Sequence, residues 1–256
     1  MTTVAPPAQL PRFDRVERIT HWCTATLMLA LLVTGFSLYA GPLSTLIGRR
    51  ELVRTVHVYS GLVLPIPVLV AIALRAGAQL RADFGRLNRW TRDDRAWWSR
   101  RRRATALLGK FNPGQKLNAT FIGAAMLVML MSGSIMKWYS PFSDSWRQGA
   151  TFVHDWFAIG LLLAIIGHIA LAFRDSDALN GMVHGWVNPA WARRERPRWY
   201  AEMVDSADVR GASDSIGDAG ARVAQHATEV GLGTREVPIV DAVDGRAGDG
   251  VGEGEL

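Results

Sequence analysis

Four apolar runs of about twenty residues constrain this chain more than any other feature. They read "WCTATLMLALLVTGFSLYA" at 22–40, "VHVYSGLVLPIPVLVAIALR" at 56–75, "LNATFIGAAMLVMLMSGSIM" at 117–136 and "FVHDWFAIGLLLAIIGHIALAF" at 152–173. At a rise of about 1.5 Å per residue, each is long enough as a helix to cross roughly 30 Å of hydrocarbon. The polar residues lie between and after these runs, at 1–20, 76–115 and 174–256. Blocks of this length predict an all-α membrane protein, a four-transmembrane-helix bundle, and not one mixed soluble core. Pro65 and Pro67 predict a kink in the second span, which neighbouring helices can accommodate.

Charge orients the spans. The segments 1–20, 76–115 and 174–200 carry 18 Arg or Lys, against 5 in 41–55 and 137–151. With an even number of spans the first group shares one side, and the positive-inside rule makes that side cytoplasmic, with both termini on it. The chain is therefore expected in the cell inner membrane as a multi-pass protein. "RRRR" at 100–103 reads as a topogenic loop beside anionic lipid and not as a nucleic-acid site. Trp22, Trp138 and Trp146 fall at span ends, where an interfacial belt would put them. The N-terminal segment lacks the short apolar region and small-residue cleavage site of a signal peptide, so the first run is expected to be a retained anchor.

The expected domains are a cytoplasmic segment 1–20, a bundle 21–203 and a tail 204–256. Residues 205–256 hold 11 Asp or Glu against 4 Arg, with many Gly and Ala and no aromatics. That composition predicts a disordered acidic C-terminal tail, with His226 inert within it.

Several chemistries are excluded. Cys23 is the single cysteine, so the chain cannot bind an iron–sulfur cluster alone. No CxxCH attaches a c-type haem, and no phosphate-binding glycine loop precedes a helix.

Histidines supply the positive signal. His21 lies at the cytoplasmic start of span one, His57 at the outer start of span two, and His154 and His168 at the outer and cytoplasmic ends of span four. The fourteen residues between the last two rise about 21 Å and turn four revolutions less about 40°. The two imidazoles therefore share one helix face, one above the other. His57 and His154 form an outer level, and His21 and His168 an inner one. Two neutral imidazoles per level suit axial ligation of haem b between helices, and two haems about 20 Å apart would carry electrons across the bilayer. A histidine at a span end is often only interfacial, but four on two matched levels point to function. No further ligands converge to make a zinc site. Gly35, Gly61, Gly123, Gly133 and Gly160 would allow close helix approach or leave room for a macrocycle.

Before span three, "GKFNPGQKLN" at 109–118 is turn chemistry followed by a helix start. It also sets the amides of Asn112 and Gln115 beside Lys110 and Lys116 at the inner level, where they could hold a quinone carbonyl.

"RFDRVERITHW" at 12–22, "KFNPGQK" at 110–116, the His154/His168 pair and "GMVHGWVNPAWARRERPRWYAEM" at 181–203 resemble the cytochrome b (gamma) subunit of membrane-bound formate dehydrogenase, within the di-haem cytochrome b family. The resemblance implies that His57 and His154 ligate an outer haem b and His21 and His168 an inner one. It implies that Asn112, Gly114 and Gln115, with His168 nearby, border a quinone site for menaquinone or ubiquinone. It implies two partners: an iron–sulfur (beta) subunit and a molybdenum or tungsten catalytic (alpha) subunit that oxidises formate. Electrons would pass inward to quinone, with protons taken from the cytoplasm. A trimer of heterotrimers would fit the family. Where the family often has a His-His pair, this chain has Arg194 to Arg196, and His184 matches no ligand. The other readings are a cytochrome b of another respiratory dehydrogenase, hydrogenase or reductase, and a haem-free anchor or transporter.

Overall fold

The computed structural model describes residues 8–42, 45, 48–99, 101–138 and 140–229. It divides into two units, Met1–Asp205 and Ser206–Leu256.

The first unit is built on four long helices. Helix α1 is Arg15–Tyr39. The second span, Arg50–Ala73, comes in two pieces, α2 (Arg50–Val63) and α3 (Ile66–Ala73). The break falls at Pro65, which has no N–H for the ladder, so the proline signal and the structure agree. Two short helices follow, α4 (Ala78–Asn88) and α5 (Arg92–Trp97). The third and fourth spans are α6 (Pro113–Lys137) and α7 (Asp144–Arg174). Then come α8 (Ser176–His184), α9 (Pro189–Glu195) and α10 (Pro197–Glu229).

The spans run longer than hydropathy predicts, and polar caps start the first and third of them early. Asp14 accepts from the Glu17 N–H at 2.7 Å while the Glu17 carboxylate accepts from the Asp14 N–H at 2.8 Å. This capping box starts α1 at Arg15, seven residues before the apolar run.

The mean hydropathy of the four spans is 1.6 to 2.3, yet only 6–11% of each apolar window is buried inside the protein. Leu29 and Phe36 in α1, Leu127 in α6, and Leu163 and Phe173 in α7 all stand exposed. In water such a surface would drive collapse or association; in hydrocarbon it meets a solvent of its own kind. Helices satisfy their backbone internally, which lipid demands. Helix α1 packs on α2 and α3, α6 packs along α7, and contact between α2 and α6 joins the two halves.

Most of the connecting chain gathers at one end of the bundle, where α1 and α6 begin and α3 and α7 end. Here strand β1 (Leu10–Pro11) pairs antiparallel with β2 (Trp186–Val187). Leu10, Val187, Trp191, Ala192 and Trp199 make a buried cluster beneath them. Gly185 closes α8 at φ 96°, the left-handed conformation glycine adopts most easily. Its carbonyl accepts from the N–H groups of Arg12 and Phe13 at 2.8 and 3.2 Å. A Cβ at Gly185 would stand 2.9 Å from the Phe13 carbonyl oxygen, so the junction requires glycine. The N-terminal segment is thereby tied to the chain that follows span four.

In the second unit, residues 206–229 are helical, where composition predicts disorder. Alanines and an Arg222–Asp218 pair at 2.8 Å, one turn apart, favour helix there. The remainder of the expected tail, 230–256, lies outside the described residues.

Candidate functional site

The four span histidines meet in two pairs. At the end of the bundle with short connections, His57 in α2 faces His154 in α7, with ring centroids 6.3 Å apart. At the loop-rich end His21 in α1 faces His168 in α7, with centroids 6.2 Å apart. Helix α7 thus supplies one imidazole to each pair. Two metal–nitrogen bonds of about 2 Å and two ring radii of about 1.2 Å together span ~6 Å. Both gaps therefore fit an iron held axially between two imidazoles. Among the described residues no group of three or more His, Cys, Asp or Glu could hold a bare metal ion. Two imidazoles alone suit a metal whose other ligands come from a macrocycle.

The short-loop pair sits in a matched setting. Thr34 Oγ1 of α1 lies 2.9 Å from His57 Nδ1, and Ser132 Oγ of α6 lies 3.0 Å from His154 Nδ1. The next residue in each case is a glycine under the ring. A Cβ at Gly35 would come within 3.2 Å of His57 Cε1, and one at Gly133 within 3.3 Å of His154 Cε1. Both are closer than ordinary side-chain contact, so each ring occupies space that a larger residue would take. The other span glycines differ: Gly61 looks onto Leu31 and Gly160 onto Phe121, while Gly123 has open space.

The loop-rich pair has charged surroundings. A cavity of about 260 Å³ is lined by Glu17, His21, Asp83, Phe84, Phe111 and Met182, among others. At its edge the buried Lys110 ammonium donates to Asp83 and lies 3.7 Å from Glu17. Asp83 also pairs with Arg86 at 2.6 Å. Burial pushes the Lys110 pKa down, and the two carboxylates only partly oppose it. One turn into α6, buried Lys116 donates to Asp94 and to the Arg89 carbonyl, both at 2.7 Å. Asp94, with Thr91, also caps α5. Burial works to raise the Asp94 carboxyl, but the bonds from Lys116 and Thr91 win and hold it below its ordinary value. The two lysines of the "GKFNPGQK" loop are therefore buried anchors.

Asn112 and Gln115 form the capping box of α6. Asn112 Oδ1 accepts from the Gln115 N–H at 2.8 Å, and Gln115 Oε1 accepts from the Asn112 N–H at 3.0 Å. Pro113 takes the first helical position, where its missing N–H costs nothing. Arg196, buried against Trp191, reaches Gln115 Oε1 at 3.5 Å. Gly114 lies under Asn112 and Trp97. None of these three lines the cavity; the preceding Phe111 does. The backbone carbonyl of His184 accepts from Arg18 at 2.7 Å, and its ring lies 6.2 Å from that of Trp186.

The hydroxyls of Thr34 and Ser132 and the carboxylates of Glu17, Asp83 and Asp94 escape a reading of the sequence. A signal for the hydroxyls exists: "TG" at 34–35 and "SG" at 132–133 each precede a "VH" about 22 residues on.

The sequence is similar to that of several known proteins. The chain is 28% identical over 210 residues to the formate dehydrogenase cytochrome b556 subunit of Haemophilus influenzae, covering 78% of this chain and 86% of that one. It is 26% identical over 204 residues to the formate dehydrogenase cytochrome b556(fdo) subunit of Escherichia coli, covering 75% and 92%. The nitrate-inducible cytochrome b556(Fdn) subunit of Escherichia coli is 25% identical over 213 residues, covering 78% and 93%. A match to one family over residues 12–185 takes in all four spans, both histidine pairs and the left-handed turn after α8, and by it the chain belongs to the prokaryotic cytochrome b561 family.

Proposed function

We propose that the chain is the membrane electron-transfer subunit of a formate dehydrogenase complex in the cell inner membrane, reducing quinone on the cytoplasmic side. The observation that carries this is the pairing of four histidines at two levels, each with the ring separation of an axially ligated iron. The similarity to cytochrome b556 subunits supports formate as the electron source. The excess of Arg and Lys at the loop-rich end supports its being cytoplasmic, so His57 and His154 form the outer site and His21 and His168 the inner one.

Bound haem b supplies a one-electron carrier at each level. The protein contributes position. Helix α7 holds His154 and His168 about 21 Å apart along one face, and the apolar spans keep water from the path between them. Cys23 is the only cysteine, so clusters must come from an iron–sulfur (beta) partner, and formate oxidation from a molybdenum or tungsten (alpha) partner.

Asn112, Gly114 and Gln115 border the site for menaquinone or ubiquinone beside the inner pair. The capping box uses the carbonyl oxygens of Asn112 and Gln115. Both side-chain NH2 groups are left to donate to a quinone carbonyl, so the cap and the binding role are compatible. Proton uptake from the cytoplasm, with electrons arriving from outside, would charge the membrane at each turnover.

The test is a reduced-minus-oxidised spectrum of the complex purified from its membrane. Two b haems with bis-imidazole spectra are expected, and His57→Ala and His168→Ala should each remove one. A full spectrum in both variants overturns the ligand assignment. Co-purification with iron–sulfur and molybdenum or tungsten subunits, with formate-dependent quinone reduction, separates this role from a cytochrome of another dehydrogenase or hydrogenase.

A further inference from the structure

Thr34 and Ser132 determine which nitrogen of each outer histidine is bare. A hydroxyl has one proton to give. Thr34 Oγ1 lies 2.6 Å from the Ala30 carbonyl of its own helix, and Ser132 Oγ lies 2.7 Å from the Val128 carbonyl. With those protons spent on carbonyls, each hydroxyl oxygen can only accept from the imidazole facing it. That arrangement favours the tautomer of His57 and His154 with the proton on Nδ1 and Nε2 bare. A similar construction occurs twice: a hydroxyl on one span faces Nδ1 of a histidine on another, and the following glycine makes room for the ring; at His57 the Leu31 carbonyl of span one is a second acceptor. Among the described residues neither His21 nor His168 has a side-chain hydrogen bond.

We infer that Thr34 and Ser132 are positioning residues that orient both outer imidazoles and hold the outer haem at a lower reduction potential than the inner one. The inference rests on the axial role proposed for His57 and His154. An Nδ1–H bonded to oxygen makes the imidazole more basic and a stronger electron donor, which favours the ferric iron. The inner imidazoles lack that support. Electrons entering at the outer level thus move toward the site of higher potential, and the direction of transfer is built into two hydroxyl groups.

The test is a redox titration of both haems in the intact purified complex. Thr34→Val, which keeps the shape, and Ser132→Ala should each raise the midpoint of the haem that His57→Ala removes, and the double variant should raise it further. The other midpoint should not move. Thr34→Ser should behave as wild type. The low-spin ferric EPR signal of the outer haem should shift with the midpoint. Unmoved midpoints, a shift at the inner haem, or an equal shift in Thr34→Ser and Thr34→Val would overturn the inference. If Thr34→Val loses the haem and Thr34→Ser keeps it, the hydroxyl is needed to hold the ring, which supports the proposal. Loss in both points to packing and counts against it. Failure of the underlying assignment looks different: wild type lacks two b haems, or His57→Ala retains both.

Discussion

The two ends of the bundle hold similar histidine pairs by opposite means. At the short-loop end His57 and His154 are set by neutral groups, one hydroxyl and one glycine each. At the loop-rich end His21 and His168 lie beside a shell of buried charge in which Lys110 is matched by Asp83 and Lys116 by Asp94. A neutral hydrogen bond contributes about 1 kcal/mol and depends little on pH or salt. A buried ion pair adds modest net stability but costs several kcal/mol when one partner is removed. One end thus sets its imidazoles by neutral contacts, while the other depends on charge balance among loops.

The sharpest way to break this contrast is to unpair a charge. Lys116→Ala leaves Asp94 buried and uncompensated and should cost about 3–5 kcal/mol, read as a lower unfolding temperature in detergent. Thr34→Val at the other end should cost about 1 kcal/mol. Equal losses would erase the distinction.

Acid should separate the two ends next. Asp94 is held below its ordinary value, so its contribution is complete above the carboxylate range and disappears as pH falls through the lowered folded value. The loop-rich end should loosen first, seen as earlier proteolysis of 76–115 than of the short-loop connections on acidification. Simultaneous loosening would argue against charge as the difference.

Asn112→Ala removes a cap worth about 1 kcal/mol. If the amide also meets quinone, KM for quinone should rise beyond what that stability loss explains. Asn112→Ser, which can still cap, should restore stability but not KM. Recovery of both would reduce Asn112 to a cap.

The smallest effect is expected at Gly61→Ala. The added methyl finds Leu31 Cδ2 at 3.7 Å, an ordinary contact. Stability should change by less than about 1 kcal/mol, with helix propensity acting in its favour, and both haem spectra should stay. Gly35→Ala, with His57 Cε1 at 3.2 Å, should disturb the outer spectrum alone.

The spans, the proline break and the two histidine levels are legible in the sequence because length, Pro65 and helical periodicity are local properties. Span ends are less legible, since 15–20 and 144–151 are rich in polar residues yet helical. The partners of Lys110 and Lys116 lie 22 to 93 residues away, on α1, α4 and α5. A charge count treats Lys110 as topogenic, and neither lysine shows in the sequence that it is buried and paired. Thr34 and Ser132 read as ordinary polar residues in a span until the neighbouring helix supplies the imidazole.

Helix α7 carries one imidazole of each pair on a single rigid rod. Any substitution in 155–167 that a helix accommodates, proline excluded, leaves the interval intact. One inserted residue would turn His168 by about 100° and lift it about 1.5 Å, and only whole turns bring it back to the same face. The spacing behaves as a ruler graduated in turns, so this segment tolerates changes of letter but not of length.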